Sequence, residues 1–285
     1  MQKIWVCGAR GQIGQAVNDV VDKLEFEMLD TDVDDLDVTD TDEVLRFGEM
    51  NRPDIIINCS GMTDISSCEE NPSQAFKVNA LGARNLAIVA AKMQAKMVQL
   101  STDDVFDGKS TEPYTEFDIT NPGTVYGKSK LAGENYVKEF TTKHFIVRST
   151  WVYGKGQNFI NGFLKKVDAG EQLSIASDQF GSPTSANELA RFLLHLVHTS
   201  EYGTYHATSK GVCSRYAFAQ EILKMTGKTA SMQPVPTVMS DFSKVRPAYA
   251  VLDNFIMSMV PIYDFPDWQD SLREYLEERG LYHAE

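Results

Sequence analysis

Short apolar runs alternate with amphipathic stretches of helical period through the first 150 residues of the chain. The runs predict strands, and the stretches between them predict helices. Because strict alternation favours parallel pairing with helices on both faces, we predict an α/β protein with a doubly wound parallel sheet. The predicted strands are Lys3–Cys7, Phe26–Leu29, Asp54–Cys59, Lys96–Leu100 and His144–Arg148. The predicted helices run from Gly14 to about Leu24, from Thr39 to about Asn51, over Ala80–Gln94 and over Leu131–Phe140.

After Gly154 the period becomes less regular, and Pro234–Pro247 is predicted to be an irregular connector. Four further helices are predicted near Phe159–Ala169, Asn187–His198, Tyr216–Met225 and Asp267–Arg279, and two short strands near Leu173–Ala176 and Thr204–Ala207. His195 and His198 are three residues apart, but no acidic or cysteine partner has the spacing of a metal site. We therefore predict that both are surface residues.

Composition and charge narrow the class of protein. With 285 residues, 42% of them hydrophobic, the chain is long enough for one large or two moderate domains. A formal net charge of −13 disfavours a nucleic-acid or anionic-membrane surface, since both need clustered Lys and Arg. No apolar run approaches a membrane span and no signal-peptide pattern is present, so we expect a cytoplasmic protein. The cysteines lack metal-site spacing and are predicted to be reduced thiols: Cys7, Cys59, Cys68 and Cys213.

A glycine turn follows the first predicted strand. It reads Gly8-Ala9-Arg10-Gly11-Gln12-Ile13-Gly14 and leads directly into a predicted helix. Glycines let the backbone approach a pyrophosphate closely, and the helix N-terminus offers free N–H groups and the positive end of its dipole. Strand, glycine turn and helix together predict the dinucleotide-binding end of a Rossmann-like sheet, with NADH or NADPH as the cofactor.

Asp30 ends the second predicted strand, 16 residues after Gly14. An acid there can accept hydrogen bonds from the adenosine ribose and would repel a 2′-phosphate, which favours NADH, although Arg10 would tolerate NADPH. The segment Asp30–Asp42 is rich in Asp, yet it lacks the Gly and the Glu that a calcium loop has at its sixth and twelfth positions. We interpret it as a solvated acidic loop.

Small polar residues follow two further predicted strands. Ser60, Gly61 and Thr63 come after the third strand, and Ser101-Thr102-Asp103-Asp104 comes after the fourth. Because the carboxyl ends of parallel strands share one edge, both segments should border the same crevice as the glycine turn. A hydroxyl such as that of Thr102 could bind a substrate carbonyl there, or it could simply cap a turn.

Tyr126 and Lys130 are four residues apart, immediately before a run with helical character. On a helix their side chains would share one face. A phenol with a pKa near 10 can donate a proton at neutral pH, and a neighbouring ammonium stabilises the phenolate left behind. The pair therefore predicts a proton donor, although the same spacing also occurs in exposed helix pairs.

Together these motifs resemble the extended short-chain dehydrogenase/reductase superfamily, and most closely the dTDP-4-dehydrorhamnose reductases. The resemblance spans nearly the whole chain and rests on Gly8–Gly14, Asn58–Thr63, Asn79, Ser101–Phe106, Tyr126–Lys130 with Gly133 and Glu134, Arg148–Gly154, Asp178–Thr184 and Val245–Pro247. It implies a dinucleotide-binding domain over residues 1–150, to which residues near 184–210 return, and a mainly substrate-binding α/β domain over residues 151–285.

The resemblance implies hydride transfer from NADH or NADPH to C4 of a dTDP-linked 4-keto-6-deoxyhexose, in dTDP-rhamnose biosynthesis. Carried over by position, Tyr126 would protonate the developing alkoxide, Thr102 would orient the carbonyl, and Lys130 would bind the nicotinamide ribose. The other implied site residues are Asn79 for the cofactor and Asp103, Asp104 and the sugar-stacking Trp151 for the substrate. For the diphosphate of the substrate the candidate is Arg246, with Lys165 or Lys166 as alternatives.

Two positions depart from the family's pattern. Met62 stands where an aromatic residue or His is frequent, and Asp104 stands where Tyr is frequent, so both bear on which sugar is bound. Some relatives dimerise through magnesium held by carboxylates, one of them soon after the glycine turn. Gln15 and Ala16 stand there in this chain, so no metal is predicted, and a monomer or a homodimer is expected.

Two other functions fit the same motifs. An epimerase or dehydratase of a nucleotide sugar would hold NAD tightly and recycle it. The lack of an obvious acid/base pair beside Thr102 disfavours dehydration, although Asp103 and Asp104 keep it open. A non-catalytic regulatory subunit, like the beta subunit of methionine adenosyltransferase, has the same fold with nucleotide bound. The intact set of Thr102, Tyr126 and Lys130 argues against that function.

Overall fold

Six parallel strands form the central sheet of the computed structural model, which describes residues 1–237 and 247–283. In chain order the strands are β1 (Gln2–Cys7), β2 (Phe26–Thr31), β3 (Ile55–Asn58), β4 (Lys96–Thr102), β5 (His144–Ser149), β6 (Val152–Tyr153), β7 (Leu173–Ala176), β8 (Phe180–Gly181), β9 (Thr184–Ser185), β10 (Gly203–His206), β11 (Cys213–Ser214) and β12 (Met232–Val235). The central sheet has the order β2-β1-β3-β4-β5-β10, and each neighbouring pair is parallel. The predicted doubly wound parallel sheet is confirmed.

Helices cover both faces of this sheet and build the C-terminal part of the chain. They are α1 (Gln12–Val20), α2 (Thr41–Asn51), α3 (Ile65–Glu70), α4 (Pro72–Phe76), α5 (Ala83–Met93), α6 (Val125–Phe140), α7 (Phe159–Asp168), α8 (Ala186–His198), α9 (Arg215–Thr226), α10 (Phe255–Met259) and α11 (Trp268–Glu277). A π-helical segment, Lys77–Gly82, joins α4 to α5, and a 3-10 turn, Asp103–Val105, follows β4. Among the described helices, none is both long enough and apolar enough to cross a bilayer.

Side chains of the sheet alternate between two apolar clusters. Ile4 and Val6 pack on one face with α1 and α8, whereas Trp5 and Cys7 pack on the other face with α2 and α5. Because both faces are covered, the strands can be apolar throughout, which accounts for the continuous runs in the sequence. A third cluster joins α7, α9 and α11 around Phe218 and forms the core of the C-terminal part.

The order of strands reverses at β1, which lies between β2 and β3. At its carboxyl end the N–H groups of Gly8 and Ala9 donate to the Thr31 carbonyl of β2, and Cys59 N–H donates to the Cys7 carbonyl. The turns that leave β1 and β3 are therefore tied to the same edge of the sheet. A crevice outside the carboxyl ends at such a reversal is where ligands bind in doubly wound sheets.

Three of the elements that differ from the sequence-based prediction have a local explanation. α1 ends at Val20 rather than near Leu24, because the Asp22 side chain accepts a hydrogen bond from Leu24 N–H and turns the chain. The helix predicted over Ala80–Gln94 belongs to a longer helical run that begins at Pro72, where Asn71 caps the first turn. Pro234 lies in β12 rather than in an irregular connector, and a two-stranded sheet has the edge position that Pro tolerates.

Candidate active site

The glycine turn after β1 leaves no room for side chains. Gly8 adopts φ +75°, and a Cβ atom added to it would lie 2.7 Å from Ser60 N. A Cβ atom added to Gly14 would lie 2.4 Å from the Gly8 carbonyl oxygen. The turn is therefore pressed against the segment that follows β3, and its glycines are needed for that contact.

Helix α1 begins within this turn, at Gln12. Gly11 is its N-cap and supplies no side-chain hydrogen bond, so the first N–H groups of the helix have no partner within it. Gln12 Nε2 donates to the Gln157 carbonyl at 3.0 Å, while its Oε1 is buried without a partner among the described residues. A backbone cradle at an uncapped helix N-terminus fits the pyrophosphate of a dinucleotide, with Gly8–Gly14 as the residues that would hold it.

Asp32 binds the backbone of the glycine turn. Its Oδ2 accepts a hydrogen bond from Arg10 N–H at 2.8 Å, and its Oδ1 accepts one from Val33 N–H. Asp30 lies inside β2, paired with Val6, and is exposed. Sequence reasoning missed Asp32 because the predicted strand ended two residues early; the ribose contact expected of Asp30 stays a prediction.

Asn79 fixes the segment after β3 in place. Its Oδ1 accepts Met62 N–H at 2.8 Å, and its Nδ2 donates to the Met62 carbonyl and to Ser129 Oγ, each at 2.9 Å. Ser129 Oγ donates in turn to the Tyr126 carbonyl at 2.8 Å. Both N–H donors of the amide are thus used, and Asn79 positions Met62 and the first turn of α6. Asn79 itself lies in the π-helical segment, and such segments are frequent at functional sites.

Lys130 is buried against the same segment. A Cβ atom added to Gly61 would lie 3.8 Å from Lys130 Nζ, and the lysine is only 5% exposed. Burial lowers the pKa of Lys130 to about 8, while the nearby Glu134 carboxylate opposes that shift. The ammonium therefore lies beside Gly61, in the segment predicted to border the same crevice as the glycine turn.

The first turn of α6 packs onto the end of β4. A Cβ atom added to Gly127 would lie 2.0 Å from the Asp104 carbonyl oxygen. Thr124 caps the helix by accepting Gly127 N–H at 2.9 Å, and Glu69 of α3 accepts Val125 N–H at 2.8 Å. Tyr126, which is half-buried, therefore belongs to a turn that is fixed from both sides and adjoins the residues after Thr102.

The Thr102 hydroxyl has two contacts within its own turn. Its Oγ1 accepts Asp104 N–H at 3.2 Å and donates to Asp103 Oδ1 at 3.0 Å. This is the capping geometry that the sequence left open. Thr102 would have to exchange its bond to Asp103 to donate to a substrate, so its contact with a carbonyl stays a prediction, as do the substrate contacts of Asp103 and Asp104.

A buried ion pair joins Glu134 of α6 to Arg148 of β5. Glu134 accepts two hydrogen bonds from Arg148, at 2.9 and 2.7 Å, and one from Ser101 Oγ at 2.5 Å. Arg148 also faces His206 Nε2 at 3.5 Å, and His206 Nδ1 donates to the carbonyls of Tyr114 and Asp253. Burial and the Arg148 charge lower the pKa of His206 to about 3, so its ring is neutral and accepts from the guanidinium.

The remaining residues predicted to bind substrate come after β5 in the chain. Trp151 has φ +47°, and the Arg215 guanidinium lies 3.5 Å from the centroid of its indole ring. A sugar ring could stack on that face only after Arg215 moved, so stacking on Trp151 stays a prediction. Lys166 lies 3.8 Å from Glu171 on the surface, and Arg246 lies outside the described residues.

Comparisons with known proteins identify the family. The family model described as the RmlD substrate binding domain matches residues 1–280. The spore coat polysaccharide biosynthesis protein SpsK of Bacillus subtilis is 35% identical over 281 residues, which cover 98% of this chain and 99% of the relative. Two solved structures each superpose with a TM-score of 0.95 and cover 98% of this chain and 100% of the other. One is a dTDP-4-dehydrorhamnose reductase of Clostridium acetobutylicum, 40% identical, and the other is that of Bacillus anthracis in complex with NADP, 35% identical.

The matched range contains the glycine turn, the Tyr126–Lys130 helix and the C-terminal cluster, so no part of the proposed site lies outside it. The resemblance read from the motifs is thereby confirmed: the chain belongs to the family described as the RmlD substrate binding domain.

Proposed function

We propose that this protein reduces the C4 keto group of a dTDP-linked 4-keto-6-deoxyhexose with NADH or NADPH, as a dTDP-4-dehydrorhamnose reductase does. Family membership and the named activity of the relatives support the reaction class. A relative of 35% identity was solved with NADP, which supports a nicotinamide dinucleotide as the cofactor. The site residues below are proposed from the geometry of this chain.

One observation carries the assignment: α6 touches both strand ends that a reductase site needs. Gly127 lies against the Asp104 carbonyl, one turn beyond Thr102, and Lys130 Nζ lies against Gly61. Gly61 follows Ser60, whose backbone touches Gly8 of the glycine turn. Contacts thus run without a gap from the dinucleotide cradle through Lys130 to the first turn of α6 and the end of β4.

The cofactor supplies the hydride that reduces C4. The residues of this chain provide the proton and the positions. Tyr126 would donate its phenolic proton to the carbonyl oxygen as that oxygen becomes an alkoxide, so one hydride and one proton convert the ketone to an alcohol. Proton exchange with water then restores the phenol.

Lys130 would serve this step in two ways. Its Nζ, which lies against Gly61, would bind the nicotinamide ribose, and its positive charge would stabilise the phenolate of Tyr126, four residues before it on the same helix. Because the lysine is buried, the interaction acts in a medium less polar than water and is stronger than at a surface. Thr102 would orient the carbonyl once its hydroxyl turned from Asp103 to the substrate.

The test is to follow oxidation of NADH and of NADPH separately with a small panel of nucleotide-linked 4-keto-6-deoxyhexoses. We expect stoichiometric oxidation of reduced cofactor with a dTDP-linked member of the panel. Tightly bound cofactor with no net oxidation would point instead to an epimerase. A stoichiometric protein partner together with no activity would point to a regulatory subunit.

A further inference from the structure

We infer that three carboxylates around Arg10 make this protein select NADH over NADPH. The inference rests on the proposed function, because it concerns the cofactor of the same site. It names the residues that would decide between NADH and NADPH, which are Asp32, Asp34 and Asp35. These three residues and Arg10 are called the Arg10 cluster below.

Asp32 lies where the adenosine ribose is expected in a sheet of this type. It is the first residue after β2, and its carboxylate is bonded to the backbone N–H of Arg10 in the glycine turn. An acid at the end of the second strand accepts hydrogen bonds from ribose hydroxyls, and a 2′-phosphate would replace one of those donors with an anion. Asp32 therefore favours the coenzyme without the phosphate.

Arg10 is the one residue of the turn that could neutralise a 2′-phosphate, and its charge is already compensated. Its guanidinium nitrogens lie 3.8 Å from Asp32, 3.1 Å from Asp34 and 3.4 Å from Asp35. One positive and three negative charges leave the Arg10 cluster with a net charge of −2. Asp35 also accepts Asp32 N–H at 3.0 Å, so the arrangement is fixed by the backbone as well as by the ion pairs.

A phosphate brought to this cluster meets repulsion, whereas a ribose hydroxyl meets acceptors. Like charges at about 4 Å repel even through water, and two excess negative charges correspond to an affinity ratio of roughly tenfold or more. Arg10, Asp34 and Asp35 are solvent-exposed, so salt should weaken the effect, with a Debye length of about 10 Å at 0.1 M. We expect the preference for NADH to shrink as ionic strength rises.

Binding without any sugar tests this directly. The fluorescence of the reduced nicotinamide gives dissociation constants of NADH and NADPH for the full chain at low and at moderate salt. We expect NADH to bind at least about tenfold more tightly than NADPH at low salt, with the ratio falling as salt is added. Equal affinities, or tighter binding of NADPH, would overturn the inference while leaving the proposed reductase intact.

Two variants assign the effect to the cluster. Asp34→Asn combined with Asp35→Asn keeps the side-chain shape and a carbonyl acceptor for Asp32 N–H, but frees the Arg10 charge. We expect NADPH binding to strengthen by roughly tenfold with NADH binding nearly unchanged. Glu201→Gln is the matched control, because it removes one exposed charge before β10, at the opposite edge of the sheet, and should alter neither affinity.

Arg10→Ala changes the charge of the cluster in the opposite direction to the Asp double variant, because it removes the positive charge. Without the guanidinium the cluster has only negative charge, so NADPH binding should weaken further relative to NADH. An unchanged ratio in both the Asp double variant and Arg10→Ala would overturn the inference even if the wild type preferred NADH. Failure of the wild type to bind either coenzyme would overturn both this inference and the proposed function.

Discussion

Gly127 lies directly against the carbonyl oxygen of Asp104, so closely that an added Cβ atom would be 2.0 Å from that oxygen. The contact joins the first turn of α6 to the 3-10 turn that follows β4. It therefore sets how near Tyr126 comes to Thr102, two residues that are 24 positions apart in the chain. The proposed chemistry therefore depends on this packing.

Gly127→Ala is expected to separate α6 from β4. Alanine favours a helix, but its methyl group would overlap the Asp104 carbonyl, and such overpacking costs about 1–3 kcal/mol. Thermal unfolding should show the loss, and kcat should fall with it. The matched control is Gly162→Ala in α7, where nothing lies within 4 Å of the added atom; that change should stabilise by about 0.5–1 kcal/mol. Equal effects of the two substitutions would contradict the packing argument.

Tyr126→Phe is expected to remove the proton donor and little else. The rate should fall by about 10²–10⁴, the usual contribution of a general acid, while the dissociation constant of NADH changes little. Steady-state rates and nicotinamide fluorescence measure the two quantities. Tyr136→Phe, at the other end of the same helix, is the control and should retain full turnover. A Tyr126→Phe enzyme as fast as the wild type would refute the role.

Lys130 should limit activity at alkaline pH. With its pKa lowered to about 8, the ammonium that assists Tyr126 is present below that pH and lost above it. We expect kcat/KM for the cofactor to fall above about pH 8. Lys130→Arg keeps the positive charge at all accessible pH values. In that variant the alkaline limb should move upward, and a limb at the same pH in both proteins would exclude Lys130 as its origin.

Lys130 should also make stability depend on pH, but in the opposite direction to activity: stability should rise as the pH increases above about 8. In the unfolded chain its pKa is about 10.4, above the folded value of about 8. Between these values the unfolded state binds more protons, so the contribution of Lys130 to stability rises with pH; below about pH 8 the full cost of burying the charge remains. Relative to the wild type, Lys130→Met should therefore gain most stability near neutral pH and less near pH 10. Denaturant titrations at the two pH values check this trend.

The ion pair of Glu134 and Arg148 should matter far more than surface pairs. Both side chains are almost completely buried, so Glu134→Gln leaves an uncompensated guanidinium and should cost about 3–5 kcal/mol of unfolding free energy. Glu49→Gln, which breaks an exposed pair with Lys92, should cost less than about 1 kcal/mol. Replacing both buried partners, Glu134→Leu with Arg148→Met, should recover part of the loss. A cost below about 1 kcal/mol for Glu134→Gln would show that the pair is not structural.

The sheet and the glycine turn could be predicted because their signals are local. Each strand is a short apolar run, and the turn combines three glycines with the start of a helix. The first turn of the α4–π–α5 run had a local signal too, in the cap Asn71 before Pro72. Recognition of that pair would have placed the start of the helix correctly.

Features made by distant contacts could not be predicted in the same way. Arg148, His206 and Tyr114 meet only because β5, β10 and the loop before α6 are neighbours in space. β2 reaches Thr31, directly before Asp32, through two further ladder pairs with β1, Asp30 with Val6 and Thr31 with Cys7, and an acidic sequence gives no sign of such pairing. From the sequence alone the Thr102 hydroxyl could either cap a turn or bind a substrate carbonyl; the structure contains the cap, and the substrate contact stays a prediction.

Transfer of deuterium tests the central claim most directly. The protein would be given a dTDP-linked 4-keto-6-deoxyhexose and NADH with deuterium at the transferable position of the nicotinamide, and the product analysed by NMR and mass spectrometry. The proposed site predicts one deuterium on C4 of the sugar for each cofactor oxidised, with the yield collapsing in Tyr126→Phe. A sugar product without deuterium, or cofactor oxidation that does not depend on Tyr126, would contradict the account.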